Sequence, residues 1–268
     1  MPSDAGAEPF YRPLGGDRFH ATGSTVGPWF DEVQHVGPPS ALLVRTLEQC
    51  ATSGPELQLA RITVEVLGPV PSGEVQVRAE VERPGRTIEL VAAELAAGGR
   101  TVLRARAWRM ALADTSAAIG GAVDQLPPPS AGVFHERPEG WVRGYIDALE
   151  WRWIRGRLDE PGPGTAWARL KVPVVEGEEP SPLQRLAAVA DSANGVAARL
   201  DIRQWLFLNT DLTIHLHRTP VGEWIGLDSN AVIGPAGLGT VSATLFDEAG
   251  HTGRCAQALT VRPRQAPS

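Results

Sequence analysis

Apolar and polar residues alternate along four consecutive segments in each half of the chain, a pattern typical of strands with one buried face. Turn residues such as Gly68-Pro69 and Gly98-Gly99 separate the segments. Each half therefore predicts a four-stranded antiparallel meander. The predicted strands are Leu57–Leu67, Gly73–Glu82, Arg86–Ala96 and Arg100–Met110, then Leu206–Arg218, Gly222–Ile233, Leu238–Asp247 and Thr252–Arg262.

A segment that is apolar on nearly every face precedes each set of strands, as expected of a buried helix. The first spans Pro38–Thr52 and opens with two prolines, which suit a first helical turn. The second spans Pro182–Leu200. Shorter strands are expected before the helices, at Asp17–Ser24, Leu149–Arg157 and Thr165–Val172. The simplest way to bury each helix is to wrap an antiparallel sheet around it.

The two halves resemble each other when Arg61–Met110 is moved along the chain by about 149 residues. Pro71 then meets Pro220, for example. A repeat of this length indicates two copies of one domain in tandem. We expect an N-terminal domain at residues 1–115, a crossover linker at 116–140 and a C-terminal domain at 141–268.

The composition of the chain limits the classes of protein to which it can belong. With 268 residues, 43% of them hydrophobic and 21% charged, the chain can bury two cores of ordinary size. A net charge of -6 argues against nucleic acid as a partner. No segment reaches the roughly eighteen apolar residues of a membrane span, and the start lacks a signal pattern, so we expect a cytoplasmic protein without a membrane partner. No glycine pattern for a nucleotide and no cysteine spacing for a metal is present, and no cofactor is expected.

A sheet wrapped around one helix is the hot-dog fold, and two segments resemble the double hot-dog acyl-CoA thioesterases, which include bacterial thioesterase II. Residues 27–48, GPWFDEVQHVGPPSALLVRTLE, resemble the Trp, His-Gly and Pro-Pro entrance to that family's first helix. Residues 209–262 resemble its strand ending in His-Arg-Pro and its last strand with a central Gln. The resemblance implies an α+β tandem hot-dog, with two long central helices each wrapped by an antiparallel sheet. It also implies hydrolysis of acyl-CoA or acyl-carrier thioesters.

The resemblance further implies a catalytic set without a covalent serine, in which an Asp, a Thr or Ser, and a Gln hold the attacking water. The Asp matches Asp191 and the Gln matches Gln257. Where the family has Thr or Ser, this chain has Asn209, whose amide both donates and accepts hydrogen bonds. Thr210 faces the opposite side of the strand, so we expect it to contact substrate rather than to replace Asn209.

The residues themselves agree with this assignment. Asp191 interrupts an apolar run, where a buried carboxylate needs partners or water and can act as a general base. Gln257 lies among apolar residues on its strand, so an inward amide would orient water or bind the thioester oxygen. The alternatives are a helix cap for Asp191 and an ordinary core amide for Gln257.

The segment before the first helix is expected to bind substrate. His35 would line the pocket entrance or shuttle a proton; a loop histidine that only caps the chain is the alternative. The backbone N–H of Gly37, near a helix start, is a candidate for the oxyanion site. Trp29 is expected at the substrate, although tryptophans also fill cores and interfaces. His215 and His217 share a strand face without further ligand residues, so no metal site is expected.

An acyl-thioester hydrolase is the favoured function. The chain lacks the G-x-S-x-G elbow of serine hydrolases. A hydratase of the same fold resembles a pattern with Asp and His five residues apart, and no His follows Asp191 at that spacing. A non-catalytic acyl-binding or assembly protein stays open, because Asn209 departs from the family pattern.

The repeat also leads to expectations about assembly. Each copy of the sheet leaves an edge with unpaired backbone groups, so we expect the copies to pair edge to edge into one sheet and the chain to form a homodimer. A single active site is expected in the second copy, because Gln257 aligns with Arg106 and Asp191 with Leu42 in the first.

Overall fold

A computed structural model describes residues 8–52, 57–138 and 141–264. Within these residues the chain forms thirteen strands and three α-helices. The helices are α1 (Gly37–Gln49), α2 (Pro182–Ala190) and α3 (Ala193–Val196). The strands are β1 (Tyr11–Gly15), β2 (Arg18–Ala21), β3 (Leu57–Val66), β4 (Gly73–Arg83), β5 (Ile88–Ala97), β6 (Arg100–Ala111), β7 (Leu149–Arg155), β8 (Gly164–Leu170), β9 (Trp205–Asn209), β10 (Asp211–Leu216), β11 (Ile225–Ile233), β12 (Leu238–Asp247) and β13 (Gly250–Pro263).

These strands form one sheet in the order β1-β2-β4-β5-β6-β3-β10-β13-β12-β11-β8-β7, with β9 paired to β13. Neighbouring strands run antiparallel, and β3 and β10 join the two halves at the centre. The order on one side of this junction mirrors the order on the other. The expected edge-to-edge pairing of the two copies is therefore confirmed, whereas the domain limits remain a prediction.

The predicted four-stranded meander was wrong for its first strand. β4, β5 and β6 follow one another in the sheet, but β3 pairs with β6 instead of β4. The second half repeats this arrangement, because β10 pairs with β13. Alternation of apolar and polar residues determines which face each residue takes, but it does not select the neighbouring strand.

A pseudo-twofold axis passes between Thr63 and Thr213, which lie opposite each other with their hydroxyl oxygens 3.3 Å apart. Strand register extends this equivalence outward. Val91 pairs with Ala107 in the first copy. Val241 and Gln257, which are as far from Thr213 along the chain as Val91 and Ala107 are from Thr63, pair in the second copy. The counterpart of Gln257 is thus Ala107, which is buried, and not the predicted Arg106, which is exposed on the other face.

Only the first of the two expected long central helices is present. α1 has 13 residues, but the second helical segment is divided into α2 with 9 residues and α3 with 4. At the division the N–H of Ser192 donates to Val189, three residues back. The side-chain amide of Asn194 donates to the carbonyl oxygen of Phe207 on β9, so this polar side chain ties the chain to a strand where a continuous helix was predicted. The break leaves Asp191 at the C-terminal end of α2.

The start of α1 lies against the end of α2. A side chain at Gly37 would collide with the carbonyl oxygen of Ala188, so the close approach of the two helices requires glycine. Pro38 follows in the first turn of α1, where its missing N–H is tolerated. This contact brings the loop before α1, with His35, beside Asp191.

Other segments of the chain pair with one residue of each outer strand. On β1, Tyr11 donates to Val174 and accepts from Glu176. At the other end of the sheet, Val133 exchanges two backbone hydrogen bonds with Trp153 of β7. Residue 133 belongs to the expected crossover linker, so the linker runs along the edge of the second copy. No helix in the described ranges has the length and hydropathy of a membrane span.

Candidate active site

Asp191 is the centre of a buried hydrogen-bonded cluster and is itself 4% exposed. Asn209 at the end of β9 donates from Nδ2 to Oδ1 of Asp191 at 2.8 Å. Gln257 on β13 donates from Nε2 to the same oxygen and to the backbone oxygen of Asp191, both at 3.1 Å. Nδ1 of His35 lies 3.2 Å from Oδ2. The structure therefore brings together the three predicted catalytic residues and two of the predicted substrate-binding residues, His35 and Gly37, whose N–H donates to the cluster.

The environment of Asp191 changes its acidity. Burial raises the pKa of this carboxyl from 3.8 to about 7. Hydrogen bonds from Asn209, Gln257 and the backbone of Gly37 act in the opposite direction by stabilising the carboxylate. Both protonation states are therefore populated near neutral pH, a condition that suits a general base and the acid that it becomes.

His35 is held as a neutral ring. Burial lowers the pKa of His35 from 6.5 to about 3. The N–H of Gly37 donates to Nδ1 at 3.0 Å, which assigns the proton of the ring to Nε2. Because Nδ1 of His35 accepts hydrogen bonds, its contact with Oδ2 of Asp191 is favourable when the Asp191 carboxyl is protonated and can donate to it. The Gly37 N–H, expected at the oxyanion site, is thus directed to His35 and Asp191.

Sequence reasoning missed Tyr145 and Ser192. The hydroxyl of Tyr145 donates to the carbonyl oxygen of Ala188 at 2.7 Å and lies 2.7 Å from Oγ of Ser192. Its ring stacks on His35, with centroids 3.8 Å apart and planes within 7°. Tyr145 therefore joins the loop before α1 to the helix end that carries Asp191. No local motif in the sequence marks Tyr145. The one general indication is that the hydroxyl of a buried tyrosine usually has a hydrogen-bond partner.

The remaining predicted residues lie around this cluster. Thr210 is exposed and its N–H donates to Ala258, so it makes no contact with Asp191. Trp29 packs edge-on against Phe207, with ring centroids 4.7 Å apart. Thr210 and Trp29 both line a cavity beside the cluster.

A cavity of about 460 Å³ opens beside the cluster, a size typical of small-molecule sites. Asp191 and Asn209 line it, whereas Gln257 lies behind Asp191 and is 2% exposed. Most of the lining is apolar, and linker residues 134–137 contribute to it. Eight aromatic side chains line it: Trp29, Phe30, Phe134, Trp141, Tyr145, Trp151, Trp153 and Phe207.

One polar atom next to Asp191 lacks a partner among the described residues. Oε1 of Gln257 is buried and accepts no hydrogen bond from the described residues. A buried acceptor in this state is costly unless water or a ligand donates to it. In the same described part of the chain, no group of three or more His, Cys, Asp or Glu side chains could hold a metal ion.

Family models match both halves of the sequence. The acyl-CoA thioesterase N-terminal domain matches residues 25–110, and the acyl-CoA thioesterase C-terminal domain matches residues 123–261. No curated protein sequence matches significantly.

Solved structures share the fold at low sequence identity. A protein of unknown function with a hot-dog fold from Alicyclobacillus acidocaldarius has a TM-score of 0.74 at 15% identity, over 96% of each chain. A putative thioesterase II from Thermobifida fusca has a TM-score of 0.69 at 16% identity, over 94% of this chain and 95% of that one. An acyl-CoA thioesterase II from Mycobacterium marinum has a TM-score of 0.63 at 14% identity, over 96% of each chain.

Proposed function

Because the chain belongs to the acyl-CoA thioesterase family, we propose that it hydrolyses acyl-CoA or a related acyl thioester with a water molecule activated by Asp191, without a covalent serine. One observation carries the proposal. Asp191 is buried, held by Asn209 and Gln257, and placed at the edge of an apolar cavity of sufficient size for an acyl group.

In the proposed reaction, Asp191 takes a proton from water while the water oxygen attacks the thioester carbonyl carbon. The tetrahedral intermediate then collapses, the carbon–sulfur bond breaks, and the departing thiolate takes the proton from Asp191. A free acid and a thiol result, and the carboxylate is restored. A carboxyl pKa of about 7 lets the same group accept and return the proton near neutral pH.

The amides on either side of Asp191 position the reactants in this proposal. Gln257 anchors the carboxylate through Nε2 from outside the cavity lining, so it would position the attacking water through Asp191. Asn209 takes the position of the family's Thr or Ser and donates to the same carboxylate oxygen. Its amide therefore supplies the hydrogen bond expected of a hydroxyl there.

The four predicted substrate-binding residues complete the proposal. Neutral His35 would receive the hydrogen bond of protonated Asp191, and so stabilise the state formed after proton transfer. The N–H of Gly37 lies at the positive end of α1, which favours the charge on Asp191. Trp29 would contact the acyl group and exposed Thr210 the part of the substrate near the mouth.

Release of free thiol from a panel of acyl-CoAs tests the function. We expect turnover of at least some members by the wild-type chain and almost none by Asp191→Asn. If no member is hydrolysed, the competing hypothesis of a non-catalytic acyl-thioester-binding protein is favoured.

We also propose that the chain forms a homodimer. Other segments of the same chain bond to one residue of each outer strand, Tyr11 and Trp153, so the rest of each edge is available to a second copy. Light scattering after gel filtration at micromolar concentration checks this, and a strict monomer would contradict it.

A further inference from the structure

The aromatic residues of this chain are concentrated at one place. Only 6% of the residues are aromatic, and eight of the sixteen line the cavity beside Asp191. The rest of the core consists mainly of Ala, Val, Leu and Ile side chains. The aromatic lining therefore differs from the way this protein fills its interior elsewhere, which points to the ligand as its cause.

The cavity has two aromatic surfaces. Trp151 and Trp153 lie two residues apart on β7 and share a face, with ring planes within 27° and centroids 6.2 Å apart. On the other surface, Trp29 meets the ring of Phe207 edge-on at 89°. Phe207 precedes Asn209 by two residues on β9, so this second surface adjoins the reaction centre.

The Trp151–Trp153 surface lies away from the reaction centre. In the sheet, β7 is four strands from β13, which carries Gln257. An acyl group that starts at Asp191 and extends into the cavity would therefore meet this pair with its distal part.

We propose that the cavity selects an acyl group that ends in an aromatic ring, as in an arylalkanoyl thioester. This inference rests on the proposed thioesterase function. Aromatic rings gain stability from stacked and edge-to-face contacts beyond the burial of apolar area, an advantage that corresponds to roughly two- to tenfold in affinity. The two tryptophan rings on β7 offer such contacts to the distal part of the substrate.

A pair of substrates with ten acyl carbons each isolates the effect of the ring. The value of kcat/KM is measured for 4-phenylbutanoyl-CoA and decanoyl-CoA. We expect the ring-bearing thioester to be preferred by about two- to tenfold. An equal value, or a preference for decanoyl-CoA, overturns the inference.

Variants assign the preference to the aromatic surface. The double variant Trp151→Leu/Trp153→Leu should lose the preference for the ring, so that the ratio of kcat/KM for the two thioesters falls to one or below. Trp224→Leu is the matched control, because Trp224 lies outside this cavity against the Arg169 guanidinium. Circular dichroism monitors folding, and the single variant Trp151→Leu replaces the double variant if that does not fold, with the same expected loss of preference. A preference that survives loss of the Trp151–Trp153 surface contradicts the assignment.

Binding separates the inference from the proposed function. Calorimetry with 4-phenylbutanoate and decanoate requires no turnover. Tighter binding of the ring-bearing acid to the wild-type chain supports the inference even if no thioester is hydrolysed, an outcome that would reject only the thioesterase activity. Equal or weaker binding of the ring-bearing acid rejects the inference, whatever the hydrolysis assay shows.

Discussion

Asn209 donates its side-chain amide to Oδ1 of Asp191 at 2.8 Å, from the position where thioesterases of this family are expected to carry Thr or Ser. It also donates to the backbone oxygen of Asp211 at 3.2 Å. The amide thus connects the carboxylate to the start of β10.

Replacing Asn209 by Thr should keep or raise hydrolysis, because a hydroxyl at this position can still donate to Asp191. Replacing it by Leu removes the donor and should lower kcat by about tenfold or more, since a hydrogen bond to a charged group contributes about 1.5–3 kcal/mol. Steady-state kinetics on both variants gives the answer. Complete loss of activity in Asn209→Thr, with an intact fold by circular dichroism, would show that the assigned mechanism is wrong.

Asp191→Asn should lower kcat by about 10²- to 10⁴-fold, because a positioned general base typically contributes that much. The first copy serves as the control. Arg106→Gln and Leu42→Met change residues that sequence alignment placed opposite the catalytic set, and both should leave most of the activity. More than about a tenth of wild-type turnover in Asp191→Asn would reject a single site in the second copy.

The pH dependence of kcat/KM should report the ionisation of Asp191. The base must be ionised, so the rate should rise with pH and reach half of its maximum near pH 7. His35, whose pKa is about 3, should add no second inflection between pH 5 and 8. Asn209→Leu should move the midpoint to higher pH, because Asn209 lowers the pKa of Asp191. A wild-type profile that is flat from pH 5 to 8 would contradict this role for Asp191.

The same pKa predicts how stability varies with pH. Below about pH 4 the Asp191 carboxyl is protonated in both the folded and unfolded chains. As pH rises above about 4, the unfolded chain releases this proton before the folded chain does. The free energy of unfolding therefore falls progressively, and the total loss reaches roughly 4 kcal/mol once pH passes about 7. Asp191→Asn should lack this loss. Urea unfolding of both proteins at pH 4 and pH 8 measures it, and a difference that does not grow with pH would be inconsistent with the raised pKa.

The lowered pKa of His35 makes stability change with pH in the opposite direction. His35 contributes stability that is present above about pH 6.5 and lost as pH falls toward 3. Because His35 is present in both proteins, its contribution largely cancels when wild type and Asp191→Asn are compared at the same pH. The comparison therefore isolates Asp191.

Tyr145→Phe should act on catalysis through the position of the site. The variant keeps the ring against His35 but loses the hydroxyl bonds to Ala188 and Ser192. We expect kcat to fall by about tenfold with little change in KM, since small displacements of reacting groups are costly. Tyr11→Phe is the control, because it removes another buried hydroxyl bond, to Gln34 at 2.6 Å. Equal kinetic effects in the two variants would indicate a merely structural role for Tyr145.

Local patterns in the sequence were sufficient for much of the fold. Alternation located the strands, and the apolar segments after Pro38 and Pro182 located the helices, because burial of one face or of a whole helix leaves a local signature. The internal repeat indicated two copies, and the need to satisfy strand edges led to the expectation that they pair edge to edge. That β3 and β10 form the junction is known only from the structure. The resemblance to a known family supplied Asp191 and Gln257, which a charge and an amide among apolar residues also marked.

Only the tertiary structure decided what depends on distant residues. The choice of β6 rather than β4 as the neighbour of β3 is a non-local pairing, and alternation is silent about it. The helix breaks after Ala190, where Asn194 bonds to Phe207 on another element. Tyr145 reaches the site from a segment without a motif, because close packing brings its ring onto His35. The raised pKa of Asp191 likewise comes from burial by parts of the chain far apart in sequence, since the free energy of a buried charge depends on everything that surrounds it.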